Sequence, residues 1–136
     1  MFVKKVLLAI LLCVNMMSAD ENLTVYHDYN TTLELAKKEN KPVFILFGKE
    51  DCQWCEKLKS KVLTSTKIKE QLQSDYIVLF LDKDNDTYPE KYKVEAVPDV
   101  FLISPTEELY TEIVGYHTKA KDYLKWFRYV RIERED

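Results

Sequence analysis

Apolar residues in this chain gather in short unbroken runs, separated by polar stretches with helical spacing. Val43-Phe44-Ile45-Leu46-Phe47 is a continuous run of β-formers without polar alternation, the pattern of a strand covered on both faces in a largely parallel sheet. Tyr76 to Leu81 repeats that pattern, and Val100 to Ile103 is a third such run. Ser104-Pro105-Thr106-Glu107 then makes a turn into Leu109 to Val114, a fourth strand that forms a hairpin with the third and is broken by Gly115. Asp20 to Tyr29 reads as an irregular or extended lead-in. Thr31-Thr32 can cap a short helix ending near Asn40, with Pro42 as punctuation before the first strand. After that strand, Leu58, Val62 and Leu63 fall at helical spacing, and Ile68 and Leu72 define the inner side of a helix from about Thr66 to Gln73. Pro89 is placed to start a short helix to Lys93. In the last helix, capped by Thr118, Tyr123, Leu124, Phe127 and Val130 recur near the 3.6 period. The charged tail from Arg131 to Asp136 should fray.

A chain of 136 residues with 46% hydrophobic content can build one core but not comfortably two, so one domain and one site are expected. Two glycines and four prolines leave no room for a linker-rich or low-complexity reading.

The first residues change the picture of where the chain works. Met1-Phe2-Val3-Lys4-Lys5 runs into the apolar stretch Val6 to Val14 and then Met17-Ser18-Ala19, the layout of a cleaved secretory signal. The apolar run is about nine residues, whereas a membrane-spanning helix needs roughly 20. Residues 1–19 are therefore expected to be a signal peptide and 20–136 the mature domain. Lipidation at Cys13 is disfavoured because Leu12, not a small residue, precedes it.

Removing Lys4 and Lys5 leaves 18 basic against 23 acidic residues. That acidic balance, without a basic stripe interleaved with aromatics, excludes nucleic acid as the expected partner. The acids of Asp82-Lys83-Asp84-Asn85-Asp86 match the first ligands of a calcium loop, but Thr87 stands where the glycine is needed and Lys93 where the bidentate glutamate is needed. A polar loop is the better reading.

Of three cysteines the mature chain keeps two, Cys52 and Cys55, only two residues apart. A structural disulfide stabilises most when it closes a long loop, so this spacing suits reversible chemistry better than stapling. The alternative of a metal site joining the pair to His27 and His117 lacks ligand-like spacing, and neither a metal nor an organic cofactor is expected.

A strand, a Cys-x-x-Cys opening a helix, further β and α elements, a β-hairpin and a C-terminal helix follow the order of the thioredoxin superfamily. The chain resembles that family through Phe44 to Phe47, Cys52-Gln53-Trp54-Cys55, Val97-Pro98 before a strand, and Gly115 after the hairpin. Within it, Asp51 to Leu58 looks most like the exported single-domain bacterial branch. The resemblance implies an α/β thioredoxin fold with a central mixed sheet of four or five strands flanked by helices. It also implies a thiol–disulfide oxidoreductase, with the reductive direction favoured.

The chemistry has its own physical basis. Thiolate is the attacking species, and Cys52 at a helix N-terminus faces unpaired N–H groups and the positive dipole end. Cys55, nearly one turn on, brings its sulfur back beside that of Cys52 and can close an internal disulfide. Cys52 is then the nucleophile and Cys55 the resolving thiol. Pro98 by spacing alone is either an ordinary trans proline or a cis one; the resemblance implies cis, with Val97 presenting its backbone to an extended substrate. Trp54 is expected as an exposed substrate contact.

Two departures bear on rate and direction. Leu46 occupies the place of the acid that cytosolic thioredoxins bury beneath their cysteines, and Glu56 follows Cys55 where a basic residue is common. Proton transfer to the resolving thiol must then use another group, with Glu50, Asp51 and Glu56 as candidates, or water. Expected partners are protein thiols or disulfides and a membrane or periplasmic redox partner, with the chain itself a monomer. Asn22, Asn30 and Asn85 head Asn-x-Ser/Thr sequons, but the C-terminal Arg-Glu-Asp resembles no endoplasmic-reticulum retention signal, which points to a bacterial periplasm. The competing function is a non-catalytic binding or chaperone-like module on the same fold, its disulfide merely structural.

Overall fold

The computed structural model describes residues 22–136. The expected signal peptide, with Cys13, lies outside the described residues. The lead-in touches the sheet through a parallel bridge from Tyr26 to Leu79, and the first helix, α1, runs Tyr29–Glu39. It starts earlier than the threonines suggested because Asp28 is the cap: its carboxylate accepts from the Thr31 N–H at 2.8 Å. Thr32 turns inward and its hydroxyl donates back to the Asp28 carbonyl. Asn40 ends the helix in the left-handed conformation with φ 51°.

Strand β1, Val43–Gly48, is buried at every position. It leads into α2, Gln53–Lys57, which opens at once into a wide π-helical turn over Leu58–Val62. The wide turn lets Leu58, Val62 and Leu63 all enter the core. Helix α3, Thr66–Asp75, returns the chain to β2, Ile77–Asp82. Strands β3, Asp99–Ile103, and β4, Leu109–Val114, form the expected hairpin, and α4, Ala120–Glu135, closes the fold.

The four strands lie in the order β2-β1-β3-β4. β1 runs parallel to β2 and antiparallel to β3, and β3 is antiparallel to β4. Alternation along each strand divides the core in two. Phe44, Leu46, Val78, Val100 and Leu102 meet α3, α4 and the π turn on one face. Val43, Ile45, Phe47, Leu79 and Phe101 meet α1 and Tyr92 on the other. The mixed α/β sheet is thus the expected one, with four strands among the described residues.

Three local expectations are corrected. No helix forms from Pro89 to Lys93; a single turn closes when the Tyr92 N–H reaches the Pro89 carbonyl. The reason is that Tyr88 and Tyr92 are both drawn onto Phe47, with ring centroids 4.8 and 5.8 Å away. The C-terminal tail does not fray either: α4 is helical to Glu135, and the Arg134 guanidinium donates to the Asn40 carbonyl at 2.7 Å. Its N-cap is Lys119, without a side-chain capping bond, rather than Thr118.

Candidate active site

The C-terminal ends of β1 and β2 and the start of β3 share one edge of the sheet, where Lys83 N–H donates to the Gly48 carbonyl at 2.9 Å. From Gly48 the chain passes through Asp51, in the left-handed region with φ 55°, and delivers Cys52 as the N-cap of α2. Cys52 and Cys55 are bonded to each other, with Cα atoms 5.3 Å apart. The Cys55 N–H donates to Cys52 Sγ at 3.2 Å. Cys52 keeps 8% of its surface exposed while Cys55 keeps 1%, so an incoming group can meet only the first sulfur. Gly48 lies directly against Cys55: a Cβ there would stand 3.5 Å from Cys55 Sγ, in ordinary van der Waals contact.

The Val97–Pro98 peptide bond is cis. Val97 lines a groove of about 320 Å³ together with Cys52 and Trp54, and Lys49, Asp51, Lys83 and Glu95 supply its polar walls. Larger clefts of about 450 Å³ open beside Pro42 and Tyr76 at the other end of the strands, away from the sulfurs. The Pro98 carbonyl accepts from Gly115 N–H at 2.8 Å, and Gly115 takes φ 86°, which glycine adopts without strain. Cys52, Cys55, Trp54, Val97 and Pro98 thus stand together at this one edge. Trp54 is 46% exposed.

Leu46 is buried on the α2 face of the sheet, so no acid lies under the cysteines at that position. Glu56 leans to Lys59 at 3.5 Å. The two histidines are occupied elsewhere: His27 packs edge-on to Phe80, and His117 Nε2 sits 3.0 Å from the Val114 carbonyl. The Asp82 loop binds its own backbone, its carboxylate accepting from the N–H groups of Asp84 and Asn85.

Two residues escaped sequence reasoning. Tyr116 packs against Trp54 in a tilted ring pair, centroids 5.5 Å apart and planes 30° from parallel; its only sequence signal was its place just after Gly115. Asp99, next to Pro98, is 2% exposed with Oδ1 unpartnered among the described residues. Burial, then a hydrogen bond to the Glu112 carboxyl, pushes its pKa up to about 8. Alternation places Asp99 with Phe101 on the α1 face, opposite the cysteines. A charge heading the apolar run Val100 to Ile103 was the available signal.

A family model described as a thioredoxin-like domain matches residues 29–131. Among curated proteins, the chain is 28% identical over 98 residues to Anterior gradient protein 3 of Mus musculus, covering 72% of this chain and 59% of that protein. The protein of the same name from Xenopus tropicalis is 27% identical over 101 residues, covering 74% and 62%. The chain thus spans about three fifths of the length of the curated relatives it matches. Among solved structures, a thioredoxin from Thermus thermophilus superposes with TM-score 0.70 at 21% identity, over 82% of this chain and 90% of that one. A structure titled DsbH Oxidoreductase gives TM-score 0.63 at 20% identity, over 85% and 90%. These structural likenesses bear on the fold.

Proposed function

Because this chain belongs to the thioredoxin-like domain family, we propose that it is an exported thiol–disulfide oxidoreductase of the periplasm, acting mainly as a reductase of protein disulfides. The observation that carries the reading is the bonded pair at the head of α2, with the Cys55 N–H aimed at Cys52 Sγ. A backbone donor held on a sulfur favours the thiolate once the pair is reduced, and thiolate is the nucleophile.

In the reductive direction, Cys52 thiolate attacks one sulfur of a partner disulfide. A Cys52–partner bond forms, the partner S–S bond breaks, and the first partner thiolate leaves and takes a proton. Cys55 gives up its proton and attacks Cys52 Sγ. The internal disulfide forms, the mixed one breaks, and the second partner thiol departs protonated. Two electrons pass from the cysteine pair to the partner, and a membrane or periplasmic dithiol returns them by the reverse exchange. With Leu46 beneath the pair, the proton leaving Cys55 passes to water or to a surface carboxylate such as Glu50. Val97, before the cis-proline, lines the groove beside Cys52 and offers backbone groups to an extended segment.

The test is a Cys55→Ser variant, which has the attacking thiol but not the resolving one. Expressed in cells with its leader, it should accumulate as mixed disulfides with partner proteins that dithiothreitol releases, and the mature chain should begin at Asp20. A variant that traps nothing, together with a native pair that stays oxidised in exchange buffers, would point instead to a binding module with a structural disulfide.

A further inference from the structure

We propose that the cleft beside Gly48, on the α2 face of the sheet, carries away the proton that Cys55 gives up, and that His27 is its acceptor, reached through solvent. The inference rests on the redox reading above and names the group that its second step leaves open.

The cleft measures about 260 Å³, with Leu46, Gly48 and Phe80 on its apolar side and His27, Glu50 and Lys59 on its polar side. That volume admits several waters. Gly48 connects the cleft to the chemistry, because a Cβ there would stand 3.5 Å from Cys55 Sγ. Cys55 itself is buried, and in the mixed disulfide the partner covers the Cys52 side. The Gly48 side is the way that stays open.

The sheet places His27 at this cleft. Tyr26 N–H donates to the Val78 carbonyl at 2.8 Å, and the Tyr26 carbonyl accepts from Phe80 N–H at 3.0 Å. Tyr26 packs with the core on the α1 side, so the next residue turns to the opposite face. There the His27 ring stands edge-on to Phe80, centroids 6.4 Å apart. Phe80 is the β2 partner of Leu46, so His27 is separated by one side chain from the position that lacks an acid. Its ring is held by that aromatic contact, and neither nitrogen is hydrogen-bonded among the described residues.

The acids around the cleft are less suited to the task. Asp82 accepts from the N–H groups of Asp84 and Asn85, and Asp86 accepts from Asp82 N–H at 2.6 Å. Glu50 remains, but an imidazole exchanges its proton near neutrality, where a surface carboxylate is a weak base. Lys59, its ammonium 5.2 Å from the Phe80 centroid, borders the cleft with a positive charge that suits a thiolate forming at Cys55.

In the step, the Cys55 S–H proton passes to solvent in the cleft, which hands one to His27. The Cys55 thiolate attacks Cys52 Sγ, the Cys52–Cys55 bond forms, and the Cys52–partner bond breaks. The partner leaves as a thiolate that solvent protonates, and His27 returns its proton to bulk water.

The test is stopped-flow mixing of the reduced mature chain with the aromatic disulfide dithiobis(nitrobenzoate) at neutral pH. Attack by Cys52 releases the first thionitrobenzoate and resolution by Cys55 the second, so the two steps are read separately. His27→Ala should leave the first release unchanged and slow the second by roughly tenfold, below the usual effect of a general base because water competes. Added imidazole should restore the second release in His27→Ala and leave wild type as it is. A merely structural role would disturb both releases and ignore imidazole. The assignment is overturned by a second release as fast in His27→Ala as in wild type, by a slowing that imidazole does not relieve, or by a slowing found in Glu50→Gln instead. Wild type that gives no second release defeats the redox reading itself, whereas two releases indifferent to His27 defeat the proton exit alone.

Discussion

The backbone N–H of Cys55 points at the sulfur of Cys52 across 3.2 Å, so in the proposed cycle the resolving residue would also prepare the attacking one. A short helix contributes only a modest dipole, and the direct donor is the larger local effect on Cys52. Cys55, at 1% exposure, is screened from any reagent. In the fully reduced protein at neutral pH, iodoacetamide should therefore modify Cys52 at least roughly tenfold faster than Cys55. Peptide mapping of partially alkylated protein checks this, and equal labelling of the two would contradict it.

Asp99 makes stability depend on pH in an unusual direction for a carboxylate. Its pKa is raised from 3.8 to about 8, first by burial and then by the Glu112 carboxyl. The folded state therefore keeps a proton that the unfolded chain releases, and its contribution is full below about pH 4 and lost as pH rises through about 8. Urea unfolding should show wild type losing stability across that window, and Asp99→Asn, which cannot ionise, should remove that part of the slope. An unchanged slope in Asp99→Asn would show that Asp99 ionises as freely in the fold as out of it.

Phe47 and Arg134 should separate core from surface. Phe47 is fully buried against Tyr88, Tyr92 and Phe101, at 4.8, 5.8 and 5.5 Å, and Phe47→Ala should cost about 3–5 kcal/mol. Arg134→Ala loses an exposed hydrogen bond to Asn40 and should cost under about 1 kcal/mol. Chemical denaturation of both variants measures the difference directly.

Readability of the chain followed the range of the interactions involved. Val43 to Phe47 could be recognised as a buried strand because its own side chains carry the signal, and Cys52 and Cys55 declared the site because three residues of helix bring them together. Features that depend on distant partners were hidden. Tyr116 gives no sign that it meets Trp54, because only the completed hairpin brings Gly115 to the Pro98 carbonyl. Asp99 and Glu112 become neighbours only through the β3–β4 register. Pro89 looked like a helix start until Phe47 claimed Tyr88 and Tyr92, and the tail stays helical because Arg134 finds the end of α1. The earlier start of α1 was a contest between neighbouring caps, won by Asp28 over Thr31.

The central claim is that Cys52 is the attacking sulfur, and dithiothreitol-driven reduction of insulin by the purified mature chain tests it most directly. Wild type should precipitate the insulin B chain well ahead of the dithiothreitol background, and Cys52→Ser should fall to that background. Precipitation by Cys52→Ser at the wild-type rate would contradict the account.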